Sequence, residues 1–172
     1  MKISVLGYMG SGKTTIGKEL ADRLNVKFID LDEWIEMKNE MSITEIFKSQ
    51  GEIRFRKSER NALVEILDQK EDSVLALGGG TPAYYDNIQL INEKTFSIYL
   101  RMSPPELVHR LSSETELRPL LSHLNAEDMP EFIAKHLFDR RSFYDQAKIT
   151  VDLKNKTVEE IVDEIIRALP HP

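Results

Sequence analysis

Residues Gly7–Thr14 read GYMGSGKT and satisfy the pattern G-x-x-x-x-G-K-[ST] in full. An apolar, strand-like run, ISVLGY (Ile3–Tyr8), leads into them. After them Ile16, Leu20 and Leu24 recur four apart, which predicts a helix from about Lys13 to Leu24. Strand, glycine-rich loop and helix together make a phosphate-binding loop. The glycines allow backbone N–H groups to turn inward around phosphate oxygens, and the helix aims its positive end at them. Gly10, Ser11, Gly12, Lys13, Thr14 and Thr15 are the candidate contacts to a nucleoside triphosphate. Lys13 would reach the β- and γ-phosphates, and the Thr14 hydroxyl would ligate magnesium. A glycine-rich turn without a ligand is the bland alternative, and the motif is silent about the phosphoryl acceptor.

Working outward, strand and helix patterns alternate. VKFIDLD (Val26–Asp32) reads as a second strand. Ser42-Ile43-Thr44-Glu45 has the form of a capping box opening a short helix that Gly51 can end, and Glu52–Asp68 reads as a charged amphipathic helix. Then follow the strand SVLAL (Ser73–Leu77), a helix near Tyr85–Asn92, the strand TFSIYL (Thr95–Leu100) and a helix opening at Pro104-Pro105. A weakly periodic polar segment, about 112–128, precedes a helix from about Pro130 to Tyr144, a strand KITVDL (Lys148–Leu153) and a closing helix over Thr157–Leu169. This alternation predicts an α/β fold of three layers, a central parallel sheet flanked by helices, as in P-loop nucleotide hydrolases. No repeat or linker divides residues 1–172, so one domain is expected.

Composition bounds the partners. With 172 residues and 41% hydrophobic content the chain can bury one good core. The net charge of −6 argues against a general nucleic-acid binder, though a few focused arginines can still hold an anion. There is no cysteine, which removes disulfides, zinc–thiolate sites and a thiol nucleophile. The apolar start of the chain is broken by glycine too early for a membrane span or a signal peptide, so a cytoplasmic protein is expected. No exposed apolar stripe is evident, and a monomer is the default. The four histidines lack metal-ligand spacing and receive no role.

The acceptor side must be sought elsewhere. FIDLD puts Asp30 and Asp32 at the end of the second strand, where alternation would turn both to one face. One carboxylate could accept a hydroxyl proton and the other hold magnesium through water; equally, both could form a polar strand end or helix cap. Glu52, Arg56 and Glu59 share a helical face. They fit either surface ion pairs worth about 0.3–0.5 kcal/mol each or an arginine gripping a carboxylate, and spacing does not choose. Residues 74–82, VLALGGGTP, end a strand in Gly78, Gly79 and Gly80, where many nucleotide hydrolases place a magnesium-binding acid.

In order along the chain, GYMGSGKTT, FIDLD, GE…FR..E, LGGG, RPLL (Arg118–Leu121) and R…Y…A (Arg140, Tyr144, Ala147) resemble the shikimate kinases over essentially the whole length. The resemblance implies transfer of the ATP γ-phosphate to the 3-hydroxyl of shikimate, with Mg2+, on the route to chorismate and aromatic amino acids. It implies that Asp32 binds the shikimate hydroxyls and is placed as base, and that Asp30 lies near magnesium. Arg56 and Arg140 match the pair holding the carboxylate, Glu59 the acid steadying them, and Gly78–Gly80 the glycines touching substrate. Lid arginine Arg118 would reach the ATP phosphates, Arg110 would pack near adenine, and the segment about 112–128 would be a mobile lid over a substrate-binding region of about 32–60. Arg140 is chosen over its neighbour Arg141 because the family's arginine precedes the tyrosine by four. Thr81-Pro82 follow the glycines where many relatives carry a small and then an aliphatic residue.

Other readings are a gluconate- or nucleotide-kinase-like enzyme, a GTPase-like switch, or a module that binds nucleotide without catalysis. NKTV (Asn155–Val158) puts valine where a guanine-reading N-K-x-D needs aspartate. A non-catalytic module would be expected to lack Asp32 or Lys13.

Overall fold

Five strands pair in the order β2–β3–β1–β4–β5, and every pair is parallel. They are β1 (Lys2–Leu6), β2 (Lys27–Asp30), β3 (Ser73–Ala76), β4 (Phe96–Arg101) and β5 (Ile149–Asp152). The helices are α1 (Lys13–Leu24), α2 (Leu31–Asn39), α3 (Ile43–Asp68), α4 (Asn87–Lys94), α5 (Pro104–Leu111), α6 (Met129–Tyr144) and α7 (Val158–Ala168). The computed structural model describes residues 1–113 and 121–170. Arg118 and most of the RPLL segment therefore lie outside the described residues, as does the middle of the expected lid. Among the described residues no helix is long and apolar enough to cross a membrane.

The central strands read as continuous apolar runs because both sheet faces are covered. Val5, Leu6, Val74, Leu75, Ile98 and Leu100 are all essentially inaccessible. Each such side chain contributes about 1.5–3 kcal/mol on burial. From the helices, Leu20, Leu63, Ile91, Ile133 and Ile165 close the same core.

Local chemistry places most element ends. Ser42 and Glu45 form the expected capping box, with Glu45 N–H on the serine hydroxyl and Ser42 N–H on the glutamate. Gly51, at φ 79° and ψ 170°, interrupts α3 where the sequence places a break. Nothing lies within 4 Å of where its Cβ would be, so the left-handed backbone, not space, calls for glycine there.

Two expectations need correction. β2 stops at Asp30, and α2, which the sequence reading missed, begins at once with Leu31. Asp32 is thus in the first helical turn and not on the strand. The reason is Asp30: its side chain accepts the N–H groups of Asp32 and Glu33 and caps α2. The helix foreseen near Tyr85–Asn92 starts two residues later, because Tyr85 takes φ 52° after a 3-10 turn at Thr81–Ala83.

Candidate active site

Three neighbouring strand ends build the floor of the site. β1 runs into the phosphate loop, and β3 beside it runs into the triple glycine, the two joined by Leu77 N–H on the Val5 carbonyl (3.1 Å). β2, on the far side of β3, delivers Asp30 and Asp32. Ligands of open parallel sheets sit beyond these carboxyl ends. A cavity of about 490 Å³ opens there, lined by Gly10, Gly12, Lys13, Thr14, Thr15, Asp30, Asp32, Gly78, Gly79 and Arg110 among others.

The phosphate loop keeps its helix end open. Gly10 and Gly12 take φ of 79° and 87°, and α1 starts with no side-chain cap and no acid in its first turn. By contrast α2, α3 and α7 all have a side chain on their first N–H groups. An uncapped helix start with its positive end exposed suits an anion. Lys13 Nζ donates to the carbonyls of Gly7 (2.8 Å) and Tyr8 (2.9 Å), across the loop opening. Ser11 turns its hydroxyl and its amide back onto the Tyr8 carbonyl, so it shapes the loop from within. Arg110 donates to the Gly10 carbonyl at 3.3 Å. It also borders a second cavity of about 250 Å³ walled by Ser11, Thr15, Leu153, Lys156 and Val158.

The two aspartates meet at the cavity. Thr14 Oγ1 donates to Asp30 Oδ2 at 3.0 Å, so the helix-capping carboxylate also touches the loop hydroxyl. Asp32 sits at the cavity wall with its pKa pushed up to about 6. Burial is the main cause, followed by the negative charges of Asp30 and Glu59; Lys13 opposes them.

Behind the glycines lies a buried ionic cluster. Glu59 is 1% exposed and accepts from Arg56 Nη1 (2.9 Å) and from the Thr81 hydroxyl (2.7 Å). Asn87 holds the Thr81 carbonyl, and Arg60 holds Asn87. The Arg56 guanidinium lies 4.0 Å from the centre of the Tyr84 ring, and the Tyr84 hydroxyl donates to Glu52. The Glu52–Arg56–Glu59 face is therefore no surface ladder. The glycines fit against this cluster one by one. A Cβ on Gly80 would come within 2.7 Å of Arg56 Nη2, and one on Gly79 within 3.2 Å of Arg140 Nη1. One on Gly78 would meet Asp32 Oδ1 at 3.0 Å and Glu59 Oε1 at 3.3 Å. None of the three has positive φ, so contact is what limits a side chain: a clash at Gly80, and tight fits at Gly78 and Gly79 that neighbours must yield to.

Arg140 and Arg141 separate cleanly. Arg140 is buried and faces Gly79, whereas Arg141 pairs with Asp145 on the exposed side of α6. Tyr144, one turn beyond Arg140, donates to the Gly79 carbonyl at 2.5 Å.

Thr81, Tyr84 and Asn87 escaped the sequence reading as parts of this cluster. Thr81 was visible only as an unusual neighbour of the glycines; Tyr84 and Asn87 carried no signal of their place in the cluster, since Glu52 and Arg60, which they meet, lie 32 and 27 residues away.

Comparison with known proteins agrees with this geometry. The family model described as shikimate kinase matches residues 9–170. A shikimate kinase of Flavobacterium johnsoniae is 43% identical over 169 residues, 98% of each chain. Among solved structures, shikimate kinase from Bacteroides thetaiotaomicron superposes with a TM-score of 0.90 at 36% identity, over 97% of each chain. Shikimate kinase from Acinetobacter baumannii, solved in complex with shikimate, gives 0.86 at 30% identity, over 96% of this chain and 90% of that one. With a phosphate loop and a carboxylate pair at adjoining strand ends, two buried arginines beside them, and full-length similarity of this kind, the chain belongs to the shikimate kinase family.

Proposed function

We propose that the chain transfers the γ-phosphoryl group of ATP to the 3-hydroxyl of shikimate, giving shikimate 3-phosphate. The observation that carries the reading is the pair of buried arginines, Arg56 and Arg140, brought from different helices to the glycine loop beside Asp32. An acceptor with one carboxylate and several ring hydroxyls matches that pairing, because planar guanidinium groups both charge-match and orient a carboxylate.

In this reading the chain's own groups divide the work. Backbone N–H groups of Gly10 to Thr15 and Lys13 hold the phosphates, and Lys13 exchanges its carbonyl contacts for phosphate oxygens when nucleotide arrives. Arg110, which borders the second cavity, would pack near the adenine of ATP. Arg118 is assigned to the phosphates by the family resemblance alone. Arg56 and Arg140 hold the shikimate carboxylate, with Glu59 fixing Arg56. Gly78–Gly80 let backbone lie against the ring. Asp32 binds the acceptor hydroxyl and takes its proton; a carboxyl with a pKa of about 6 is ionised at neutral pH yet basic enough to share that proton.

The residues fit magnesium bound in the usual way. Thr14 and Asp30 present hard oxygen donors side by side (3.0 Å), and the described residues hold no group of three or more His, Cys, Asp or Glu that could cage a metal. Mg2+ takes one or two protein oxygens and completes its shell with water and phosphate. When bound it would neutralise charge on the transferring group. The same reading makes shikimate, ATP and Mg2+ the partners of a cytoplasmic monomer, with no nucleic acid or membrane involved.

A coupled ADP-release assay with shikimate, gluconate and nucleoside monophosphates offered separately tests the assignment. Turnover with shikimate alone is expected. Turnover with another acceptor and none above background with shikimate would overturn it.

A further inference from the structure

Arg140 stands between two anchored turns of α6. One turn later, Tyr144 is tied to the Gly79 carbonyl (2.5 Å). One turn earlier, His136 is tied to the phosphate loop: its Nδ1 lies 2.9 Å from the hydroxyl of Tyr8, and the two rings meet edge-on at 5.4 Å and 86°. Residues four apart share a helical face, so His136, Arg140 and Tyr144 form one row directed at the two glycine loops.

Tyr8 is buried, and it touches both halves of the site. Its carbonyl accepts from Lys13 Nζ (2.9 Å) and from the Ser11 hydroxyl (2.7 Å). Its ring lies 6.0 Å from the Arg140 guanidinium. Phe132 packs on the imidazole at 5.3 Å, so His136 is confined between two rings.

The pair is uncharged at neutral pH. Burial, then Arg140, push the His136 imidazole down to about 4, and burial pushes the Tyr8 phenol up to about 12. In either imidazole tautomer the O–H and Nδ1 share one hydrogen bond. A neutral partner adds no cation beside Arg140, where a lysine or arginine would compete for the acceptor's carboxylate.

We propose that Tyr8 and His136 are positioning residues: their hydrogen bond latches the phosphate loop to α6 and holds Arg140 at the geometry that receives the acceptor's carboxylate. The latch rests on the shikimate reading above. It makes the acceptor clamp depend on the loop that binds nucleotide, through a contact 128 residues apart in sequence.

Tyr8→Phe tests this with the loss of one oxygen, since the ring under Arg140 and the carbonyl under Lys13 remain. Its KM for shikimate is expected to rise about three- to tenfold, the usual effect of one buried hydrogen bond, with KM for ATP within about twofold. His136→Leu should do the same, and the double variant should be no worse than either single one. His136→Asn, whose amide offers both donor and acceptor near the Nδ1 position, should restore most of the loss. Equal shifts in both KM values, no shift in either, or multiplicative effects in the double variant would overturn the latch while leaving the acceptor assignment intact. Absence of shikimate turnover in the unmodified protein would overturn both.

Discussion

The nucleotide half and the acceptor half of the site share a floor but are built differently. The proposed phosphate half is one contiguous stretch, Gly7 to Thr15, and most of the groups it would offer a phosphate are backbone N–H groups at an uncapped helix start. The proposed acceptor half draws Asp32 from α2, Arg56 and Glu59 from α3, Gly78–Gly80 from the end of β3 and Arg140 from α6, and would work mainly through side chains. A backbone site needs only the right local conformation. A side-chain clamp needs distant elements to be packed correctly first, and here it is further held by Thr81, Tyr84 and Tyr144. Apart from the Tyr8–His136 contact that joins them, the two halves should therefore fail separately.

The largest expected effect is at the group standing between them. Asp32→Asn should lower kcat by about 10²–10⁴-fold, the range for a lost general base, while the Kd for ATP measured by calorimetry changes little. The unmodified enzyme carries a related signature in pH. Only the ionised carboxylate accepts a proton, so kcat/KM should be full well above pH 6, half-maximal at about pH 6 and lost as pH drops below it. The limb should vanish in the asparagine variant. Near-normal turnover in that variant would remove Asp32 from the base role.

Next comes Gly80→Ala, which puts a methyl 2.7–2.8 Å from both terminal nitrogens of Arg56. Arg56 is buried against Tyr84 and Glu59, so it cannot swing away freely. Steady-state kinetics should show KM for shikimate raised about tenfold or more, as expected for over-packing that costs about 1–3 kcal/mol, with KM for ATP unchanged. Equal effects on both substrates would break the separation of the halves.

Thr81→Val sharpens the point about support. It leaves one oxygen of buried Glu59 without its hydroxyl donor. Urea unfolding should show a loss of about 1–3 kcal/mol, accompanied by a few-fold rise in the shikimate KM, and Thr81→Ser should reverse both. The smallest effect should come from Ser42→Ala, which removes the α3 cap away from the cavity lining. It should lower stability by about 1 kcal/mol and leave both KM values alone.

Much of the fold was legible because its signals are local. The glycine loop, the periodic face of α1, the capping box at Ser42 and the strand runs each declare an element without help from elsewhere. α2 was legible only as an alternative: Asp30 as a helix cap with Asp32 and Glu33 in the first turn is a local signal, but the apolar run of FIDLD equally suits a continuing strand. Glu52, Arg56 and Glu59 show the same limit. Their spacing is that of an exposed ion-pair ladder, and burial against Tyr84 and the glycines, a tertiary fact, turns them into a clamp.

By itself, then, the sequence determined a phosphate-binding α/β chain and, through six ordered segments, its family; these rest on backbone preferences and contiguous motifs. Tertiary structure alone decided why three glycines end β3 and that Tyr8 meets His136, and it turned the choice of Arg140 over Arg141, made on the family's spacing, into a contact with Gly79. Those outcomes depend on distances across the sheet ends. A one-dimensional pattern does not encode which side of α6 is buried until the strands in front of it are in place.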